Sequence, residues 1–341
     1  MLVLGIESSC DETAAAVVTE DRRILSNIIY SQTTEHEAFS GVVPEVAARA
    51  HLEKIDFVTQ KAIADADISL ADLNAVAATC GPGLIGGVIV GATFAKAMAL
   101  SLGIPFLAIN HIEAHALCPR LTEDVNFPYL LLLASGGHCQ ICVVFGIDDF
   151  EVIGKTLDDS VGESFDKVAK MMSLGYPGGP IVEKMSQNGD PMAFNFPRPL
   201  CKKNSMDFSF SGLKTAVRFA LEKLESVDDE RKASICASFQ RAVEDILSYK
   251  INAALRLEKS RNMELDAVVI SGGVAANRGI RGKIQRTCHE HGIKFFAPPI
   301  HLCTDNAAMI AWNGLEKLRT QQRQDPLNFR PRPQWYLGER F

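Results

Sequence analysis

The sequence has no surplus of positive charge. Its 341 residues carry 35 Lys and Arg against 41 Asp and Glu, a net charge of −6. Nonspecific phosphate binding ordinarily shows as a strongly basic domain, which excludes a generic nucleic-acid coat protein; any nucleic acid must meet a local basic patch. A disulfide framework is missing too. The nine cysteines are odd in number and irregular in spacing, as expected of reduced thiols in a cytosol. The lone CxxC, Cys139 and Cys142, lies in HCQICVVF, which reads as a strand. Its two side chains then point to opposite faces, and buried structural thiols are expected rather than a redox pair or zinc site. There is no GxxxxGK[ST] P-loop and no HExxH. Ser211 to Lys214 spells SxxK, but the companion SDN and KTG motifs are absent. MLVLGIE opens on a buried-strand pattern with no charged n-region or cleavage site, so no export signal is expected. The one long apolar run, Leu84 to Leu102, contains Lys96, which in a bilayer would cost about 2.5–3.5 kcal/mol. A core or partner-packed helix is expected there, not a membrane span.

What is present is the composition of a folded protein: 47% hydrophobic and 22% charged residues rule out a disordered chain. At roughly 150 residues per domain, the length suggests two domains. Strands alternate with helices throughout, which argues for α/β layers. Near Phe127 and Pro128 the pattern restarts. GIESSCDETAAAVV and LLASGGHCQICVV are both a strand, a turn of small polar residues and a strand. This weak internal repeat predicts two related lobes facing a cleft, with hairpin turns able to offer backbone N–H groups to phosphate oxygens. The expected lobes are 1–127, completed by a helix at 304–320, and 128–303, with 321–341 as a tail.

Several local patterns carry chemistry. In NHIEAHAL, Asn110 can cap a helix and Glu113 can complete the capping arrangement. His111 and His115, four apart, share one helix face and can converge on a metal. Ile112 stands where a zinc peptidase has its glutamate, and Glu113 faces away from the pair. In LCTDNAAMIAW, Thr304 reads as a cap and Asp305 as a first-turn residue; Asp305 either complements the helix dipole or supplies a third, hard ligand. A 2-His-1-carboxylate set keeps open positions and suits iron(II) or zinc. SGGVAANRGIR places Asn277 near a helix N-terminus, either in a simple tight turn or where it can hold a base or ribose. Gly81, Gly83 and Gly86 spell GxGxxG, yet the next strand ends in Asn110 instead of an acid, so a dinucleotide site is not expected. Gly87 and Gly91 leave a shallow groove on the apolar helix, open either to burial within its own lobe or to close approach of a partner helix.

In order, GIESSCDETAAAVV, SGVVPEVAARAHLEKI, GPGLIGG, NHIEAHA, ASGGH, VGESFDKVAK, YPGGP, FSFSGLKTAV, SGGVAANRGIR and CTDNAAMIAW span nearly the whole chain. Together they closely resemble the TsaD family of tRNA adenosine threonylcarbamoyltransferases, once misread as glycoproteases. The resemblance implies an α/β fold of two duplicated actin-like, sugar-kinase-like (ASKHA) lobes around a central cleft. It implies one divalent metal, iron(II) in preference to zinc, on His111, His115 and Asp305. It implies threonylcarbamoyl-adenylate or another adenine nucleotide on Ala134, Ser135, Gly136, Gly137 and His138, with Asp166, Gly179, Glu183 and Asn277. The family's loop usually reads Val-Ser-Gly-Gly-His-Thr, from which Ala134 and Cys139 depart; Ser8 replaces a common Thr. The implied reaction moves threonylcarbamoyl to N6 of the adenosine 3′ of the anticodon in tRNAs reading codons that begin with A, releasing AMP. No general base stands out. Implied partners are tRNA and, for a bacterial chain, a TsaB-like paralogue and a TsaE-like ATPase; an organellar-type chain would pair with itself. A cytoplasmic location and no membrane are expected. Candidate tRNA contacts are Arg198, Lys202, Lys203 and Lys214; Arg278, Arg281, Lys283 and Arg286; and Arg330, Arg332 and Arg340. Competing readings are a zincin-type metallopeptidase, a metal-free actin-like ATPase or kinase, and a noncatalytic scaffold.

Overall fold

The computed structural model describes residues 1–341 except 38, 40, 202–204, 225, 227, 322–323 and 340–341, and the backbone alone at 37 and 321. The chain divides into two compact units, 1–123 with 304–341, and 124–303. The sequence reading placed the first junction at 127–128 and set 321–341 apart as a tail.

In the first unit, β1 (Leu2–Glu7), β2 (Glu12–Thr19) and β3 (Ile24–Ser31) form an antiparallel meander, followed by α1 (Thr33–Glu37) and α2 (Pro44–Asp65). Pro44 opens α2 where its missing N–H costs nothing. β4 (Ala75–Gly81), α3 (Ile85–Leu102), β5 (Phe106–Asn110), α4 (His111–Leu117) and α5 (Pro119–Thr122) follow. β4 and β5 add in parallel, giving the order β3-β2-β1-β4-β5. Strand β4 is buried at every position, as a strand covered on both faces must be.

In the second unit, β6 (Tyr129–Ala134), β7 (Cys139–Gly146) and β8 (Asp149–Lys155) repeat the antiparallel meander. Then come α6 (Val161–Met171), α7 (Gly178–Ser186), α8 (Ser211–Glu222), α9 (Asp229–Ser260), β9 (Ala267–Ser271), α10 (Arg278–Glu290) and β10 (Lys294–Phe296). β9 and β10 join in parallel, giving β10-β9-β6-β7-β8. Read from the other edge, this sheet has the same sequence of antiparallel and parallel neighbours as the first. The restart near Phe127 therefore marks a real duplication.

The last helix, α11 (Ala307–Gln321), lies on β1, β2 and β4 of the first unit. Its approach is so close that a Cβ at Gly5 would stand 2.2 Å from the Ala307 carbonyl oxygen and 2.6 Å from the Ala311 nitrogen. Beyond it, Asp325 brackets β5: its N–H donates to the Phe106 carbonyl, and its carboxylate accepts the Ala108 N–H, both at 2.9 Å. The Arg332 N–H donates to the Cys80 carbonyl at 2.7 Å. Residues 325–335 are thus part of the first unit.

Three local expectations are corrected. Helix α11 begins at Ala307, and Asn306, not Thr304, accepts the Met309 N–H, so Asp305 precedes the helix and does not sit in its first turn. The Glu113 carboxylate takes Lys317 Nζ at 3.0 Å, a buried ion pair. The glycine groove of α3 is already filled within its own unit. A Cβ at Gly87 would meet the Ser8 carbonyl at 2.5 Å, and one at Gly91 the Ser8 hydroxyl at 2.1 Å. Ile85 and Ile89, on another side of α3, stay exposed, as do Leu52 and Phe57 of α2. By length and composition α3 is the one described helix apolar enough to cross a membrane; here its glycine face lies against Ser8 and α2. Cys139 and Cys142 are both buried in β7, and burial pushes the Cys142 thiol up to about 12.

Substituting Gly5→Ala should lower stability by about 1–3 kcal/mol, because backbone on both sides cannot yield. Gly137→Ala is the control: no atom lies within 4 Å of its added Cβ, and its effect should stay within about 0.5 kcal/mol. Denaturant melts of the two variants beside wild type measure this.

Candidate functional site

His111 and His115 open α4. Asn110 caps that helix, its side-chain oxygen accepting the N–H groups of Ile112 at 2.8 Å and Glu113 at 3.2 Å. The cap fixes where the helix starts and so puts both imidazoles one turn apart on one face. Their ring centroids are 4.7 Å apart, with the planes at 88°. Asp305 arrives just ahead of α11, whose packing on α4 brings its Oδ1 to 3.0 Å from His115 Nε2 and 3.5 Å from His111 Nε2. One potential ligand atom from each residue lies within 4.8 Å of the others. This is the one such group among the described residues. Two nitrogens and a carboxylate oxygen at that spacing fit a divalent metal of the iron(II) or zinc class.

A residue that the sequence reading missed stands behind it. Glu7, fully buried at the end of β1, places Oε2 3.0 Å from His111 Nδ1. Its Oε1 accepts the Ser9 N–H at 2.5 Å and its Oε2 the Thr79 hydroxyl at 2.6 Å. In the sequence it is only an acid closing the apolar run LVLGIE, with its partners Thr79 and His111 far along the chain.

The electrostatics follow from burial opposed by pairing. Burial alone would raise the Asp305 carboxyl, but the two histidines hold it far below the ordinary range. Burial would lower His111; Asp305 and Glu7 outweigh it and hold the imidazole well above its usual value. Burial raises Glu12, reinforced by Asp305 and Asp11.

The remaining expected site residues all lie in the second unit. Ala134 ends β6 and is buried. Ser135 to His138 form the turn into β7: the Ser135 N–H donates to the His138 carbonyl at 2.8 Å, and the His138 N–H to Ser135 Oγ at 3.1 Å. Gly136 and Gly137 form its exposed tip, with open space where either Cβ would go. The N-terminus of α6 abuts this turn. The Ser160 hydroxyl donates to the Gly136 carbonyl and the Gly162 N–H to that of Ser135. Asp166 accepts the Gly178 N–H at 2.7 Å and so holds the YPGGP segment, leaving Gly179 beside open space. Glu183 accepts the Arg278 N–H at 2.7 Å. Asn277 caps α10 through the Ile280 N–H and donates to Gln240 at 3.1 Å. The acids and Asn277 thus brace the segments around the turn with their own side chains.

Several candidate tRNA contacts are engaged within the protein, while Arg278, Arg286 and Arg330 are exposed. Lys214 pairs with Asp159, and Arg198 and Lys283 with Asp245. Arg281 donates to the carbonyls of Ala275 and Pro298, and Arg332 stacks over Phe329 and Trp335. Lys202, Lys203 and Arg340 lie outside the described residues. Gly81 and Gly83 face Arg332 and Ser9 backbone, so the GxGxxG stretch has no room for a dinucleotide.

A metal at His111 must displace a proton from a raised imidazole. Metal affinity should therefore climb as pH rises toward that raised value, by up to about tenfold per unit. In the metal-free protein the same upward shift makes stability fall, not climb, with pH. Its stabilising contribution is full below the ordinary His range and fades as pH rises through the raised value. Chelator competition across pH checks the first statement; an affinity independent of pH below the raised value would contradict it.

A sequence model of the TsaD family, tRNA N6-adenosine threonylcarbamoyltransferase, matches residues 23–312. A protein of that name from Paramagnetospirillum magneticum is 55% identical over 99% of this chain and 97% of its own length. Another from Brucella anthropi is 53% identical over 100% and 96%. Among solved structures, component A of (R)-2-hydroxyglutaryl-CoA dehydratase from Acidaminococcus fermentans superposes with a TM-score of 0.55 at 16% identity, covering 94% of this chain and all of that one. HypF, in a phosphate- and nucleotide-bound form, gives 0.61 at 14% identity over 94% of this chain and 47% of its own. At such identity these two speak for fold alone, the actin-like, sugar-kinase-like α/β class. Matched by the family model over most of its length and by relatives across nearly all of it, the chain belongs to the TsaD family.

Proposed function

We propose that the protein transfers the threonylcarbamoyl group of threonylcarbamoyl-adenylate to N6 of the adenosine beside the anticodon of tRNA, with AMP leaving. The observation that carries this reading is the meeting of His111, His115 and Asp305 in a chain of this family. The two units are read as its two actin-like lobes.

The chemistry is acyl transfer from a mixed anhydride. The exocyclic amine is a weak nucleophile because its lone pair is conjugated with the ring. The donor is already activated, so the protein mainly has to position and polarise. A divalent metal, iron(II) in preference to zinc, would supply Lewis-acid stabilisation of developing negative charge. His111, His115 and Asp305 would hold it. The turn at Gly136 and Gly137 presents backbone to the phosphate, and α6 behind it adds the positive end of its dipole. Asp166 and Glu183 keep the surrounding segments in place, and orientation of this kind can contribute several kcal/mol. Glu113 is tied to Lys317, which removes the carboxylate that a zinc peptidase would need.

Transfer RNA is the macromolecular substrate, and the exposed Arg278 and Arg286 are its candidate contacts. Leu52 and Phe57 of α2 and Ile85 and Ile89 of α3 are exposed apolar side chains, and these two helices are read as the surface for a TsaB-like paralogue, with a TsaE-like ATPase as a further partner, or for a second copy of the chain. A cytoplasmic location fits this substrate.

Depleting the protein and measuring tRNA nucleosides by mass spectrometry tests the activity: threonylcarbamoyladenosine should fall, and an unchanged level overturns the reading. Gly137→Val fills the open tip of the turn. It should weaken adenylate binding by at least tenfold while tRNA binding changes little; equal loss of both would make the turn purely structural.

A further inference from the structure

Glu7 lies in GIESSCDETAAAVV, but the resemblance assigns it no role; it is a fully buried acid held on both carboxylate oxygens. We propose that Glu7 is a positioning residue for metal binding, whose carboxylate fixes the ring orientation and tautomer of His111 so that Nε2 is offered to the ion. The proposal rests on the reading of His111, His115 and Asp305 as a divalent-metal centre.

The carboxylate is immobilised by groups that carry no ligand. The Ser9 N–H, in the β1–β2 turn, holds Oε1 at 2.5 Å, and the Thr79 hydroxyl, on neighbouring β4, holds Oε2 at 2.6 Å. With its orientation so fixed, Oε2 lies 3.0 Å from His111 Nδ1. An ionised carboxylate only accepts, so Nδ1 must carry the hydrogen. The lone pair of a neutral ring is then on Nε2, the nitrogen that faces Asp305 at 3.5 Å. The Ser9 hydroxyl, 3.2 Å from the same Nδ1, can donate or accept and so does not set the tautomer by itself. An acid behind a metal-binding histidine commonly tunes affinity by about 10- to 100-fold.

A merely structural Glu7 would brace the Ser8–Cys10 turn and nothing more. The isosteric amide separates the two roles. In Glu7→Gln only one side-chain oxygen remains to accept, and the fixed Ser9 N–H claims it. The amide NH2 then faces Thr79 and His111 and donates to Nδ1, which drives the ring hydrogen to Nε2, the nitrogen needed for the metal. Glu7→Ala removes the guide without imposing the wrong tautomer. The positioning role therefore predicts greater metal loss in Gln than in Ala, although Ala disturbs packing more; a bracing role predicts the reverse order.

The test uses the full-length protein as wild type, Glu7→Gln, Glu7→Ala, Thr79→Val and His115→Ala. Zinc and cobalt(II) affinities come from chelator competition, the cobalt visible spectrum reports ligand geometry, and thermal melts report the fold. Expected are a 10- to 100-fold loss with an altered cobalt spectrum in Glu7→Gln, a smaller loss in Glu7→Ala, and less than about threefold in Thr79→Val. Wild-type affinity and spectrum in Glu7→Gln, or a greater loss in Glu7→Ala than in Glu7→Gln, overturn the proposal while leaving the metal centre intact if His115→Ala has lost the ion. Wild-type affinity in His115→Ala overturns the metal centre, and the role of Glu7 with it.

Discussion

The meeting of His111, His115 and Asp305 depends on one steric allowance, the direct seating of α11 on the first sheet. Two glycines make it possible from opposite sides. Gly5 removes the side chain of β1 beneath Ala307 and Ala311, and Gly314 removes the side chain of the helix above Ala77 and Leu107. A helix held off by ordinary side chains would carry Asp305 away from α4. Because α11 also packs on α4 and places Lys317 against Glu113 and Glu316 against Arg120, the seating is fixed by buried charge as well as by contact. Breaking such a pair by removing one member leaves an uncompensated charge, so the seating resists drift.

The duplication gives each unit the same hairpin, and the two have been put to different uses. In the first, the turn after β1 closes against its own unit: Ser8 is buried under Gly87 and Gly91, and Ser9 leans on Glu7 and His111. In the second, the turn after β6 leaves Gly136 and Gly137 uncovered at its tip. One hairpin has become scaffold behind His111 and the other an open turn, although both are built as a strand, small polar residues and a strand.

Much of this was legible in the residues. The alternation of strands with helices and the restart near Phe127 are readable, because burial on both faces of β1, β4 and β6 leaves uninterrupted apolar runs. Spacing alone paired His111 with His115, since a capped helix fixes their angular relation. Asp305 was harder: nothing local distinguishes it from a dipole-complementing residue, and only the long-range seating of α11 gives it a role. Glu7 was missed because a single acid at a strand end says nothing until its partners, 72 and 104 residues away, are known. The groove at Gly87 and Gly91 failed for the mirror reason. Small residues on an apolar helix announce close approach but not by what, and here the neighbours were Ser8 and His51 of the same unit.

The division of the first unit into two stretches of chain, 1–123 and 304–341, also sets a sequence of events in time. A ribosome makes the two histidines early and the aspartate some 190 residues later. At roughly 5–20 residues per second, the imidazoles wait about ten to forty seconds for their third partner. Through that interval β1 lacks the helix that covers one of its faces, and an intervening unit is being completed in between. The three side chains can thus meet only after the whole intervening unit has been read, so their meeting reports that the two separated stretches of the first unit have joined.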